Sequence, residues 1–203
     1  MKTSQAIAQL AQRALLYEVS CYPKPGLVDP IDHQTHTDMD LFTFIDSSVA
    51  LLPFFEQFVQ VGSTFEQSDL TALMAQIRPL GMRAEDAMLS ATKGVNTHKG
   101  AIFSLGILLS ATGYLLQKST LTPLKLSQTV QAMLAGLVEN DFQALSQKEP
   151  AWLTNGEKLY LQYGLVGIRG EAQPGYPTKF ETPYPNQNTH PTNSPHAPQT
   201  HPT

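Results

Sequence analysis

Residues 101–116, AIFSLGILLSATGYLL, are apolar or small on every face of a helix, and no other stretch limits the fold as much. A helix with no polar face has to be enclosed. Being shorter than the roughly 20 residues that cross a bilayer, it is read as the central helix of a bundle. The remaining segments must then supply apolar stripes to cover it.

Those stripes recur at helical spacing, and no run alternates as a strand would. A first helix is expected from Thr3 or Ser4 to Ser20, with Ile7, Leu10, Ala11, Ala14 and Leu15 on one face. Residues 21–37 carry Pro23, Pro25, Gly26 and Pro30 and read as a long irregular loop. A second helix is expected from Asp38 as N-cap, burying Leu41, Phe44, Ile45, Ser48, Val49, Leu52 and Phe55, with a kink at Pro53. A third over 68–78 and a fourth over 82–93 are divided by Pro79 and Gly81. After the central helix, Thr122-Pro123 starts another, striped by Leu126, Val130, Met133, Leu134 and Leu137. Thr154 and Glu157 suit a capping box for a last helix ending at Tyr163. The expectation is one all-α domain over 1–172. Residues 173–203 hold eight of the 15 prolines and no Leu, Ile, Val or Met, so they read as a disordered, low-complexity tail.

Composition narrows the function. A net charge of −4, from 13 basic and 17 acidic residues, excludes a strongly cationic nucleic-acid binder. One cysteine, Cys21, excludes an internal disulfide framework and a cysteine zinc site. The N-terminus lacks the apolar run of a secretion signal. The expected setting is the cytoplasm, with no membrane partner.

Three polar clusters carry the chemistry. The first is His33, His36, Asp38 and Asp40, where loop meets helix. Asp38 serves as a helix cap on the plain reading; on the other, Asp38 and Asp40 are hard oxygen ligands for Mg²⁺, which takes one or two carboxylates together with substrate phosphates. The second is Asn96-Thr97-His98-Lys99-Gly100, at the start of the central helix. Free amides, the positive end of the helix and a lysine suit phosphate oxygens, although the order is not that of a Walker loop. Equally, Asn96 and Thr97 are good caps. Upstream, Glu85 is either a solvated acid or an inward-facing ligand or base. The third cluster, residues 164–172, offers Arg169 and Glu171 among glycines: a guanidinium fork for phosphate, or a surface ion pair.

Four segments together resemble the triphosphoribosyl-dephospho-CoA synthases: EVSCYPKPGLVD from Glu18, HTDMD from His36, ATKGVNTHKGAIF from Ala91 and RGEA from Arg169. The resemblance runs from the N-terminus to about Pro177. It implies an all-α transferase that joins the triphosphoribosyl part of ATP to 3'-dephospho-CoA and releases adenine. The product is the prosthetic-group precursor of citrate lyase or malonate decarboxylase. On that footing Lys24, Asn96, Thr97, Lys99, Gly100 and Arg169 hold phosphates and Asp38 and Asp40 hold Mg²⁺. Glu85 or Glu171 then acts as base, and His36 or His98 protonates adenine.

After Thr178 the chain departs from the family pattern into a Pro-, Thr-, His- and Asn-rich run that includes His190, His196 and His201. The expectation is a truncated or frame-shifted member with apolar faces left to a homo-oligomer or a complementing chain. Two alternatives use the same residues: an inactive remnant that binds ATP, CoA or a partner subunit, and a metal-dependent nucleotide hydrolase.

Overall fold

A computed structural model describes residues 3–31, 36–143 and 155–177. His33, Thr154 and the three tail histidines lie outside them. All regular structure among the described residues is helical: α1 (Thr3–Ser20), α2 (Leu41–Ser63), α3 (Thr71–Ala91), α4 (Lys99–Lys118), α5 (Pro123–Met133), α6 (Leu137–Gln143), α7 (Asn155–Tyr163) and α8 (Gly167–Ala172).

The apolar stretch is the centre of the bundle, as expected. α4 packs against α1, α2, α3, α5 and α8, and its contact with α2 is the most extensive in the molecule. Small residues make that contact close. A Cβ on Gly62 would lie 1.9 Å from the Ser110 carbonyl oxygen, one on Gly113 2.2 Å from that of Val59, and one on Gly106 2.9 Å from the Phe58 ring. The helix is 20 residues long, longer than the apolar run from which it was inferred. By length and hydropathy, α4 and the 23-residue α2 would each reach across a bilayer; here they are packed on one another.

Several boundaries differ from expectation. Asp40, not Asp38, caps α2: its Oδ1 accepts from Thr43 N at 2.8 Å and Thr43 Oγ1 at 2.7 Å, while Asp40 N donates to Thr43 Oγ1 at 3.3 Å. A reciprocal box outcompetes a lone carboxylate two residues upstream. The expected third and fourth helices are one, α3, which passes through Pro79. Its buried residues Leu73, Met74, Ile77, Leu80, Ala84 and Met88 keep one helical stripe across the proline, which faces solvent. Pro53 likewise sits on the exposed side of an unbroken α2. On that side the lost hydrogen bond leaves a carbonyl to solvent rather than to the core.

The face of α1 is turned from the expected one. Ala8, Ala11, Leu15 and Val19 are buried, and Leu10 is 55% exposed. Gln12 donates to the Ser48 carbonyl at 3.2 Å, and Ser48 Oγ donates to that of Gln12 at 3.4 Å, so a polar pair sets how α1 lies on α2. On α2 itself Val49 is exposed, while Ser47, Leu51, Phe58, Val59 and Gly62 join Ser48 and Phe55 in the interior.

Residues 173–177, which composition assigns to the tail, belong to the folded body. Tyr176 is 4% exposed within the core, and Gly175 and Pro174 carbonyls accept from Ser127 Oγ and Gln131 Nε2, each at 2.8 Å. The glycine-spaced third cluster is also partly helical, since it contains α8.

Candidate active site

The loop after α1 leads into α2, whose first turns lie against the start of α4, where the second cluster sits. Asp29, 3% exposed, organises that loop by accepting from Lys24 N at 3.1 Å and Ile31 N at 2.9 Å. Lys24 Nζ pairs with Glu18 at 2.8 Å. One turn into α2, Phe44 meets the His98 ring edge-on at 5.0 Å between centroids. Beyond it Ser47, fully buried, shares a 2.7 Å hydrogen bond with His98 Nδ1 and accepts from Thr97 Oγ1 at 2.8 Å.

This clasp decides what His98 can do. Burial pushes the imidazole down to about 4, against a weaker upward pull from Glu18, so the ring is neutral at ordinary pH. Its Nε2 is buried without a hydrogen-bond partner. A group this far below neutrality is a poor proton source for a leaving base. His98 and Thr97 therefore read here as parts of a buried clasp between α2 and α4. The N-cap of α4 is His98, without a side-chain cap bond; Asn96, two residues upstream, accepts from Lys99 N through Oδ1 at 3.2 Å. Gly100 has open space beside it.

Lys99 is different. It turns toward a cavity of about 430 Å³ bounded by α2, α3, α4, α6, α7 and α8, a volume within the range of small-molecule sites. The floor is apolar, with Phe58, Ile77, Ile102, Phe103 and Ile107. Charged groups line the rest: Arg78, Glu85, Lys99, Asp141, Glu157 and Arg169. Lys99 Nζ lies 2.9 Å from Glu85. Asp141 accepts from Arg78 at 3.0 Å through Oδ1 and from Arg169 Nε at 3.0 Å through Oδ2. The Arg169 guanidinium also stands 6.0 Å from the Phe103 ring centroid. A second hollow of about 590 Å³, between α5, α6 and α8, is lined by no Lys, Arg or His among the described residues.

The cavity thus gathers Glu85, Lys99 and Arg169 from three distant segments. It does not include Lys24, His36, Asp38, Asp40, Asn96, Thr97, His98, Gly100 or Glu171. Asp38 is exposed and His36 partly buried at the mouth of α2, while Glu171 is partly buried on α8. Among the described residues no three His, Cys, Asp or Glu side chains gather as a metal site. Asp40 Oδ1 is engaged in the α2 cap, and neither Asp38 nor Asp40 lines the cavity. Arg78, Asp141 and Ser47 were not legible as site residues. Arg78 looks like any helix-surface arginine, and Asp141 lies in a short helix with no motif.

The family model described as ATP:dephospho-CoA triphosphoribosyl transferase matches residues 4–194. The chain belongs to this family. A probable 2-(5''-triphosphoribosyl)-3'-dephosphocoenzyme-A synthase of Lactiplantibacillus plantarum is 50% identical over 182 residues, covering 90% of this chain and 64% of that protein. A like-named protein of Streptococcus equi subsp. zooepidemicus is 47% identical over 188 residues, covering 87% and 63%. The protein CitXG of Leuconostoc mesenteroides subsp. cremoris is 42% identical over 176 residues, covering 86% and 38%. The chain therefore spans just under two thirds of the length of the first two relatives. No solved structure matches it. Membership agrees with the resemblance read from the four segments, and the match extends past Pro177, where that resemblance was drawn to a close.

Proposed function

We propose that the chain transfers the triphosphoribosyl group of ATP to 3'-dephospho-CoA, giving 2'-(5''-triphosphoribosyl)-3'-dephospho-CoA and adenine. The observation that carries this reading is the mixed charge of the cavity: three cations and three carboxylates beside an apolar floor. The reaction asks for both signs. A triphosphate needs cations to hold it, whereas the ribosyl C1' becomes cationic as its bond to adenine breaks, and a neighbouring carboxylate favours that state. The bonding pair leaves with adenine, which takes up a proton. The 2'-hydroxyl oxygen of dephospho-CoA bonds to C1' and gives its proton to a base.

Glu85 is the proposed base, since it lines the cavity and Glu171 does not. Its pairing with Lys99 leaves a carboxylate next to the proposed phosphate-binding cation. Lys99 and Arg169 are the proposed phosphate ligands. Mg²⁺ would accompany the triphosphate and screen its charge, with Asp38 and Asp40 as its proposed carboxylates. The proposed setting is the cytoplasm, and the product would serve a citrate lyase or malonate decarboxylase.

The test is to incubate the protein with ATP, Mg²⁺ and 3'-dephospho-CoA, omit each in turn, and follow adenine by chromatography. Release that depends on dephospho-CoA is expected. Release without it would replace the transferase by a nucleotide hydrolase. No release from folded protein would leave a binding remnant. In the active protein Lys99→Ala is expected to raise KM for ATP about tenfold, the loss of one hydrogen bond to a charged group.

A further inference from the structure

The reading above gives Arg169 a part in holding phosphate but assigns none to Arg78 or Asp141, and the Arg78–Asp141–Arg169 group has an unusual build. Two guanidiniums from α3 and α8 share one carboxylate from α6, one on each oxygen. Asp141 is the least exposed of the three at 19%, against 49% for Arg78 and 33% for Arg169. Each arginine commits a single donor to it. The remainder of each planar fork, where a guanidinium grips phosphate best, stays available at the cavity. The Phe103 ring beside Arg169 holds that fork from a second side. The trio has an excess of one positive charge, and Lys99 stands on the wall of the same cavity.

An ion pair that only tied helices together would do so as well with one arginine. Two forks bonded to one carboxylate, next to an apolar floor, match a ligand with a flat apolar end and two or more linked phosphates. We infer that Arg78 and Arg169 form a clamp for the phosphoanhydride chain of an adenine nucleotide, and that Asp141 is the positioning residue that sets the distance between the two forks. This rests on the transferase reading for the nucleotide's role, though not for its binding. Both ATP and 3'-dephospho-CoA present such a chain, so the chemistry is shared and the test separates them.

Binding of inorganic tripolyphosphate, ATP and 3'-dephospho-CoA to the full chain is measured by calorimetry for wild type, Arg78→Gln, Arg78→Lys and Asp141→Asn, with circular dichroism and melting as fold controls. Arg78→Gln is expected to weaken tripolyphosphate and one of the two nucleotides at least tenfold; that nucleotide is the one clamped. Arg78→Lys, which keeps the charge and loses the fork, should recover only part of this. Asp141→Asn gives the sharpest outcome, because its sign separates two roles. A carboxylate that merely opposes anions would, once neutralised, leave binding tighter. A positioning carboxylate, once neutralised, leaves it about tenfold weaker, with KM raised and kcat for adenine release little changed. Tighter or unchanged binding in folded Asp141→Asn, or unchanged binding in both Arg78 variants, overturns the clamp. Absence of adenine release with Arg78-dependent binding intact would instead count against the transferase reading alone.

Discussion

Neighbouring residues at the head of α4 live in opposite environments. His98 is 5% exposed and clasped to Ser47, while the next side chain, Lys99, is about half exposed and ion-paired in the cavity. A single helical step of roughly 100° separates burial from chemistry. The motif Asn-Thr-His-Lys-Gly is legible in sequence as a unit, but composition cannot tell which members face inward. Ser47 settles it, and a serine amid the apolar face of α2 carries no signal of its own. The clasp has a measurable signature. The His98 pKa falls from 6.5 in the unfolded chain to about 4 in the fold, so between these values the unfolded state holds an extra proton. Its contribution to stability is complete above about pH 6.5 and declines as pH falls toward 4. From His98 alone, about 2 kcal/mol should be lost between pH 7 and pH 5. Urea unfolding at the two pH values should show that difference, and His98→Gln should remove most of it. Equal pH slopes in both proteins would mean that the ring is not buried as described.

At the scale of elements, the chain's helical character and its central helix are readable because they depend on spacing alone. Its joints are not. Pro79 reads as a break, but a proline on the solvent side costs a continuous helix about 3 kcal/mol, and six buried residues on the other side outweigh that. The glycines of α2 and α4 are likewise silent in sequence, since a glycine in a helix reads as weakness. In the fold they sit where α2 and α4 make the most extensive helix contact, with backbone against backbone at Gly62 and Gly113. Gly113→Ala is expected to destabilise the protein by about 3 kcal/mol, because its Cβ would meet the Val59 carbonyl oxygen rather than a yielding side chain. Gly100→Ala, with open space around it, should be nearly neutral or slightly stabilising. Parallel denaturant curves for the two variants compare a locked position with a free one.

Among the described residues, most of the buried apolar side chains belong to one core that reaches from α1 to Tyr176. The C-terminal limit of this core is invisible to composition, because 173–177 are rich in proline and glycine and are held by backbone carbonyls and one aromatic ring. Removing that ring tests the boundary. Tyr176→Ala should cost about 3 kcal/mol, as large-to-small changes in a core do, whereas an unchanged melting temperature would return these residues to the tail. The cavity's charged groups come from α3, α4, α6, α7 and α8; the α4 and α8 members lie in stretches that carry the family resemblance, and Glu157 of α7 was legible only as a capping residue. Convergence of that kind is a property of the folded chain alone.

The glycine contacts between α2 and α4 also govern how the cavity can move. Where leucines separate two helices, one can slip or roll past the other by repacking side chains; where backbone touches backbone, neither translation nor rotation has a low-energy path. The Lys99 side of the pocket is therefore a fixed wall. Any widening of the cavity falls to the elements outside that pair, α3, α6, α7 and α8, of which α3, α6 and α8 are joined to one another through Asp141.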